Sequence, residues 1–115
     1  MQFESGYHKI RIRTEAGLGG WCRHLPSPEI MIRLDGDWLQ TMTVCCHEAL
    51  EFHFSALRCQ YAPTQDLSRD QHNYQFMCTH EQFSEAVARA TELAENSRSW
   101  LRTRWKKHSK KKVSS

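Results

Sequence analysis

The stretch DWLQTMTVCCHEALEFHFSALRC, residues 37–59, predicts the helix around which the rest of the fold is arranged. Its apolar residues recur every three or four positions, which is the spacing of one face of an α-helix. Asp37 and Gln40 fit an N-cap with a capping box, so the helix should start there and end near Cys59, before Pro63. The predicted buried stripe consists of Leu39, Met42, Cys46, Leu50, Phe54 and Leu57.

Short strands are predicted before and after this helix. Residues 7–14 alternate apolar and basic side chains, and residues 29–34, EIMIRL, form a second apolar run. The segment between them is rich in glycine and proline, so we interpret it as a loop. Residues 62–71 are interpreted as a second loop, and residues 72–78 as a short strand.

A second amphipathic helix is predicted from the capping pair Thr79 and Gln82 until the charge run begins at Lys106. We therefore predict an α+β fold in which a small sheet of two to three strands is packed by two long amphipathic helices. Residues 1–105 should form a single domain, and residues 106–115 a basic, disordered tail.

Charge is unevenly distributed along the chain. Of the 16 Lys and Arg, seven lie between Arg102 and Lys112 with no acid among them, so the other nine face 13 acids. Such a segment could contact phosphate backbones or an acidic protein. The same composition is also typical of a disordered end that only increases solubility. Nucleic-acid binding through Arg102–Lys112 is therefore kept as an alternative function.

The five cysteines and the N-terminal sequence predict a location in the cytoplasm. An odd cysteine count, with Cys45 and Cys46 adjacent, suits free thiols in a reducing compartment. The first residues lack the apolar segment of a secretory signal, and no later apolar run is long enough for a membrane span.

His47, Glu48 and Glu51 form the candidate metal site. On a helical wheel Glu51 lies about 40 degrees from His47 and Glu48 about 100 degrees, whereas His53 lies at about 240 degrees. His47 and Glu51 can therefore bind one metal ion, for which zinc is the expected identity, with Glu48 placed as a general base. The opposing interpretation is that all three belong to the solvated face of an ordinary helix.

A further zinc ligand has to come from elsewhere in the chain, because two ligands do not hold zinc well. His80 is slightly preferred, since the start of a helix favours a neutral imidazole, and His72 is the other candidate. A competing structural site would use Cys45 or Cys46 with Cys59, Cys78 and a histidine. The remaining histidines, His8, His24, His53 and His108, are interpreted as surface or core-edge residues.

The order of elements resembles the minimal zincin metallopeptidase scaffold, as in small phage and prophage proteins. This order is a strand, an Asp-Gly turn, a capped helix with a His-Glu motif, and a second helix preceded by histidine. The resemblance covers residues 29–100 and departs from the family at Glu51, so that HExxH is replaced by HExxE. It implies zinc ligation by His47, Glu51 and His80 or His72, and hydrolysis with Glu48 as base. It also implies a peptide substrate paired along the edge of EIMIRL, and the host cytoplasm as location if the protein is phage-encoded.

The same scaffold could act without chemistry. The alternative to a hydrolase is a non-catalytic interaction or inhibitor protein that binds a peptide or protein target. Neither the oligomeric state nor the partner follows from the sequence.

Overall fold

The computed structural model describes residues 1–63 and 74–114, and that part of the chain has an α+β fold with six strands and two helices. In chain order the elements are β1 (Gln2–Ser5), β2 (His8–Glu15), β3 (Gly20–Arg23), β4 (Glu29–Arg33), α1 (Trp38–Ala56), β5 (Gln60–Pro63), β6 (Tyr74–Met77) and α2 (His80–Ser114).

The first four strands form one mixed sheet in the order β1-β2-β4-β3, and β5 and β6 form a separate antiparallel hairpin. β2 and β4 run parallel in the middle, while β1 and β3 pair antiparallel to them at the two edges. The sheet thus has four strands rather than the predicted two to three. The prediction that EIMIRL offers an edge to a peptide is wrong, because β4 is paired on both sides and β3 is the edge strand.

Both helices cover one face of the sheet. Ile10 and Ile12 of β2 and Ile30 and Ile32 of β4 are at most 1% exposed, because alternate residues of a strand point to the same face. Burial of each isoleucine side chain contributes about 1.5–3 kcal/mol relative to exposure. The helix residues that complete this core are Cys45, Ala49, Phe52, Ala90, Leu93 and Leu101.

Helix α1 starts as predicted and ends three residues before Cys59. The Asp37 side chain accepts a hydrogen bond from the Gln40 amide at 2.7 Å, and the Gln40 side chain accepts one from the Asp37 amide at 2.7 Å. After Ala56 the chain leaves the helix through Leu57, and Arg58 has a left-handed φ of 60°. The capping box is therefore confirmed, and the end of the helix is set by this left-handed residue.

The buried face of α1 is rotated from the predicted stripe. The buried residues are Thr41, Cys45, Glu48, Ala49, Phe52, His53 and Phe54, whereas Leu39 is 76% exposed and Cys46 is exposed. A shift of the buried pattern by one residue corresponds to a rotation of about 100 degrees about the helix axis. Thr41 can be buried because its hydroxyl donates to the Asp37 carbonyl at 2.9 Å, and the small side chains of Cys45 and Ala49 permit close packing. Glu48 therefore lies on the packed face of the helix.

Helix α2 runs antiparallel to α1 and extends past Lys106. Gln82 donates to the Leu57 carbonyl at 3.1 Å at one end, and Trp105 donates to the Gly36 carbonyl at 2.9 Å at the other. His108 lies 2.6 Å from the Asp35 carboxylate, one turn further on. These contacts fix residues beyond the end of the apolar stripe, and basic side chains near a helix C-terminus are favoured by the helix dipole. Residues 106–114 are thus helical, although the apolar pattern alone predicts an end at Lys106.

In the described part of the chain, neither helix contains an apolar stretch of the length needed to cross a membrane.

Candidate metal centre

The candidate site lies in the middle of α1, where this helix faces the edge strand β3. Glu48 is only 6% exposed, Glu51 is partly buried and His47 is exposed. The three side chains therefore form a gradient from the core to the surface. A ligand could approach from the exposed side at His47, and it would contact the Glu48 carboxylate on its buried side.

The predicted pair of helix ligands is close enough to share an ion. His47 Nε2 lies 3.4 Å from Glu51 Oε1 and 3.8 Å from Glu48 Oε1. Two ligand atoms at the corners of a tetrahedron with zinc bonds of about 2.0–2.1 Å are separated by about 3.3–3.4 Å. The spacing of His47 and Glu51 therefore fits this metal with little change of the side chains.

The structure adds Cys22 of β3, a residue of the segment predicted to be a loop. Ligand atoms of Cys22, Glu48 and Glu51 all lie within 4.8 Å of one another. Among the described residues, this is the single group of three or more His, Cys, Asp or Glu donors with that spacing. His47 is not part of this group, although its Nε2 lies 3.4 Å from Glu51 Oε1. The group itself offers oxygen and sulfur, and His47 adds a nitrogen at its exposed side; these are the donor types that zinc prefers.

Burial and negative charge keep the Cys22 thiol protonated while no cation is present. Burial, the charges of Glu48 and Glu51, and a hydrogen bond to Glu48 raise the pKa of Cys22 to about 12. The thiol is the donor in that hydrogen bond, since a carboxylate can only accept. A cation would reverse this balance, because a coordinated thiol loses its proton.

The pKa of the Glu48 carboxyl is also raised. Burial is the largest cause, followed by the charge of Glu51, and His47 and the hydrogen bond from Cys22 act in the opposite direction. A carboxylate whose pKa is shifted toward neutrality is a better proton acceptor than one in free solution. The position of Glu48 is thus suited to a general base.

His80 is not brought to this cluster, and His72 lies outside the described residues. His80 is the first residue of α2, and its turn contacts Leu57 through Gln82. Leu57 follows His47 by ten positions, which corresponds to about 15 Å along the axis of α1. The structure therefore places Cys22, and not His80, beside Glu48 and Glu51.

The competing cysteine site is not assembled in the described part of the chain. The Cys45 thiol is hydrogen-bonded with Ser97 in the core, and Cys46 is exposed on another side of α1. Cys59 and Cys78 are hydrogen-bonded to each other near the far end of the helix pair. These thiols are divided between separate places, so they do not form one group of donors.

Three other histidines surround Phe52 in a second cluster. His24 stacks on the Phe52 ring at 4.0 Å, and His8 lies 5.2 Å from Phe52 and 5.9 Å from His53. Within the described residues, the buried side-chain nitrogen and oxygen atoms without a hydrogen-bond partner are His8 Nδ1, His24 Nε2 and His53 Nδ1. The three rings do not place one nitrogen each within 4.8 Å of the others, so they do not form a metal site. The interpretation of His53 as a surface or core-edge residue is wrong, since it is fully buried.

A groove next to the candidate site follows the same side of α1. It has a volume of about 400 Å³, and its lining includes Leu18, Leu39 and Val44. Thr43 and Val44 line it one helical turn before His47 and Glu48, so the groove and the site share one face of the helix. An apolar side chain of a bound molecule could lie there.

Comparison of the chain with protein-family models, with curated proteins and with solved structures gives no match.

Proposed function

We propose that the protein is a small zinc-dependent peptide hydrolase of the zincin-like type, in which His47, Glu51 and Cys22 hold the metal. The observation that supports this most directly is the 3.4 Å separation of His47 Nε2 and Glu51 Oε1 beside a buried Glu48. An ordinary solvated helix face does not require a buried carboxylate next to two such donors. Cys22 supplies the third ligand in place of His80 or His72.

Each residue of the site has a separate role in this proposal. When bound, zinc acts as a Lewis acid that polarises the substrate carbonyl and acidifies a water molecule. Glu48 accepts the proton of the attacking water and later returns it to the leaving amine. Because the burial of Glu48 raises its pKa, hydrolysis should increase with pH as this carboxyl ionises.

The substrate is an extended peptide that pairs with the outer edge of β3, which has no partner strand among the described residues. Main-chain hydrogen bonds to an edge strand hold a peptide without regard to sequence, and pockets beside the strand select its side chains. The groove at Leu18, Leu39 and Val44 favours an apolar side chain at one position. The scissile bond would then lie above Glu48, next to Cys22 of the same strand.

Metal content is the first test of the proposal. We expect about one zinc per chain in protein purified without a histidine tag, and loss of that zinc in His47→Ala, Glu51→Ala and Cys22→Ala. Cys46→Ala is the matched control, because it removes an exposed thiol one residue before His47. Zinc that is absent from the wild type would refute the site, and zinc that persists in Cys22→Ala would refute the role of Cys22.

Hydrolysis is tested with Glu48→Gln and a library of short fluorogenic peptides. The variant should retain zinc and lose at least about a hundredfold in rate, as expected for removal of a general base. Equal rates in the variant and the wild type would contradict the role of Glu48. A wild-type protein that binds zinc and cleaves no peptide would instead favour the non-catalytic interaction protein.

A further inference from the structure

A cleft lies between strand β2 and helix α2. Its volume is about 200 Å³, and its lining includes Arg11, Arg13, Trp100 and Arg104. Arg11 and Arg13 alternate with the buried isoleucines of β2, so they project from the face of the sheet that the helices do not cover. The cleft therefore collects guanidinium groups from two elements that are far apart in sequence.

Most of this positive charge is not neutralised by the protein itself. Arg13 lies 3.2 Å from the Glu29 carboxylate, whereas Arg11 and Arg104 have no acidic partner among the described residues. The Arg104 guanidinium lies 5.0 Å from the centre of the Trp100 ring, which holds it beside the cleft. An anion entering the cleft would meet the Arg11 and Arg104 guanidinium groups, which pair with no carboxylate of the described residues.

The charge continues along one stripe of α2. The stripe consists of Trp100, Arg104, Lys107 and Lys111, which are separated by four, three and four residues. Their side chains therefore fall within about 60 degrees of one another around the helix, and they extend about 16 Å along its axis. The described side chains of Arg104, Lys107 and Lys111 are exposed. No Asp or Glu follows Glu95 in the sequence.

We propose that this surface, the basic track formed by Arg11, Trp100, Arg104, Lys107 and Lys111, binds the phosphate backbone of a single-stranded nucleic acid. Guanidinium groups match phosphate oxygens in geometry, and a line of cations follows the repeated charges of a backbone. Trp100 lines the cleft, where the edge of its indole ring can contact a base. The track uses only part of the basic segment, so it is a more restricted site than the whole of Arg102–Lys112.

Salt dependence of binding gives the first test. The full chain is titrated into a fluorescein-labelled DNA single strand of about 20 nucleotides, and anisotropy is followed at 50 and 200 mM salt. Contacts to phosphates by Arg11, Arg104, Lys107 and Lys111 predict a slope of log K against log salt of about −2.8, which is a loss of about fiftyfold in affinity over this range. A loss of less than threefold would overturn the proposal.

Two variants with the same change of charge locate the site. The double variant Arg104→Gln with Lys107→Gln removes two members of the track. Its loss of affinity between 50 and 200 mM salt should therefore be only about sevenfold. Arg98→Gln with Lys106→Gln removes one Arg and one Lys from other sides of the same helix, and should bind as the wild type does. All four positions are exposed, so equal helix content by circular dichroism is expected. Equal weakening by both pairs would overturn the track, because total charge alone would then explain binding.

A duplex of the same length and a polyglutamate peptide identify the partner. Weaker binding of both than of the single strand supports the proposal. Tighter binding of the duplex would overturn the assignment to a single strand, and equal binding of polyglutamate would overturn the assignment to nucleic acid.

Discussion

Acidification should destabilise the fold through His53, which is completely buried. Ser5 Oγ donates its proton to the Arg89 carbonyl at 2.7 Å, so it must accept the hydrogen bond from His53 Nε2 at 2.6 Å. The neutral His53 ring therefore carries its proton on Nε2, and Nδ1 is buried with no hydrogen-bond partner among the described residues. A second proton on the ring would have to occupy Nδ1, for which the described part of the chain offers no acceptor.

The size of this effect follows from the pKa. Burial lowers the pKa of His53 to about 4, with smaller contributions from His8, Arg89 and His24, while Glu85 opposes the shift. Because the folded state has the lower pKa, its stability is fully present above the unfolded value of 6.5 and is lost as pH falls below it. For this pair of values, linkage gives a loss of about 1.3 kcal/mol between pH 7.5 and 5.5 from His53 alone.

Urea unfolding at pH 7.5, 6.5 and 5.5 measures this loss. His53→Gln keeps an amide nitrogen in the place of Nε2 and removes the titration, so its free energy of unfolding should change by about 1.3 kcal/mol less than that of the wild type over this range. His80→Gln is the control, because its imidazole is exposed and sits in water in both states. Parallel pH dependence of the wild type and His53→Gln would refute the reasoning.

Three further predictions concern the helix cap, the approach of β3 to β4 and the thiol beside Glu48. Asp37→Ala removes the acceptor for the Gln40 amide, and should lower the free energy of unfolding in urea by about 1–2 kcal/mol. Gly20→Ala places a Cβ in steric conflict with the Met31 carbonyl oxygen, so it should destabilise the protein by at least about 1 kcal/mol; an unchanged urea midpoint would contradict the close approach. With its pKa of about 12, the Cys22 thiol of zinc-free protein should react with iodoacetamide at pH 8 about a thousandfold more slowly than in urea, as followed by peptide mass mapping, and equal rates would contradict its burial beside Glu48.

The starts of both helices could be predicted because they depend on local chemistry. The box at Asp37 and Gln40 needs only residues three positions apart, and the same pattern occurs at Thr79 and Gln82, where the two hydrogen bonds measure 2.8 and 3.0 Å. The strand over residues 7–14 could be predicted for a similar reason, since alternation is visible within eight residues.

The two edge strands could not be predicted in the same way. β1 and β3 have four residues each, and neither shows a run of alternating apolar side chains. β3 exists because it pairs with β4 and because Gly20 allows its backbone to approach Met31, which are contacts over about ten positions in the sequence. A glycine-rich segment was therefore interpreted as a loop, and Cys22 was missed with it.

The buried face of α1 shows why the candidate site was predicted only in part. His47, Glu48 and Glu51 are fixed relative to one another by the helix, so their mutual geometry follows from the sequence. Which of them is buried depends on the rotation of the helix against β3 and α2, and the apolar stripe gave that rotation with an error of about one residue.

The true rotation places the Glu48 carboxylate against Cys22, where burial raises the pKa of both groups. The buried Glu48 carboxylate is costly without a cation, since burial disfavours its charge and one hydrogen bond from Cys22 compensates only part of that cost. Binding of zinc should therefore stabilise the fold as well as complete the site, which makes the urea midpoint with and without zinc a measure of the same contacts.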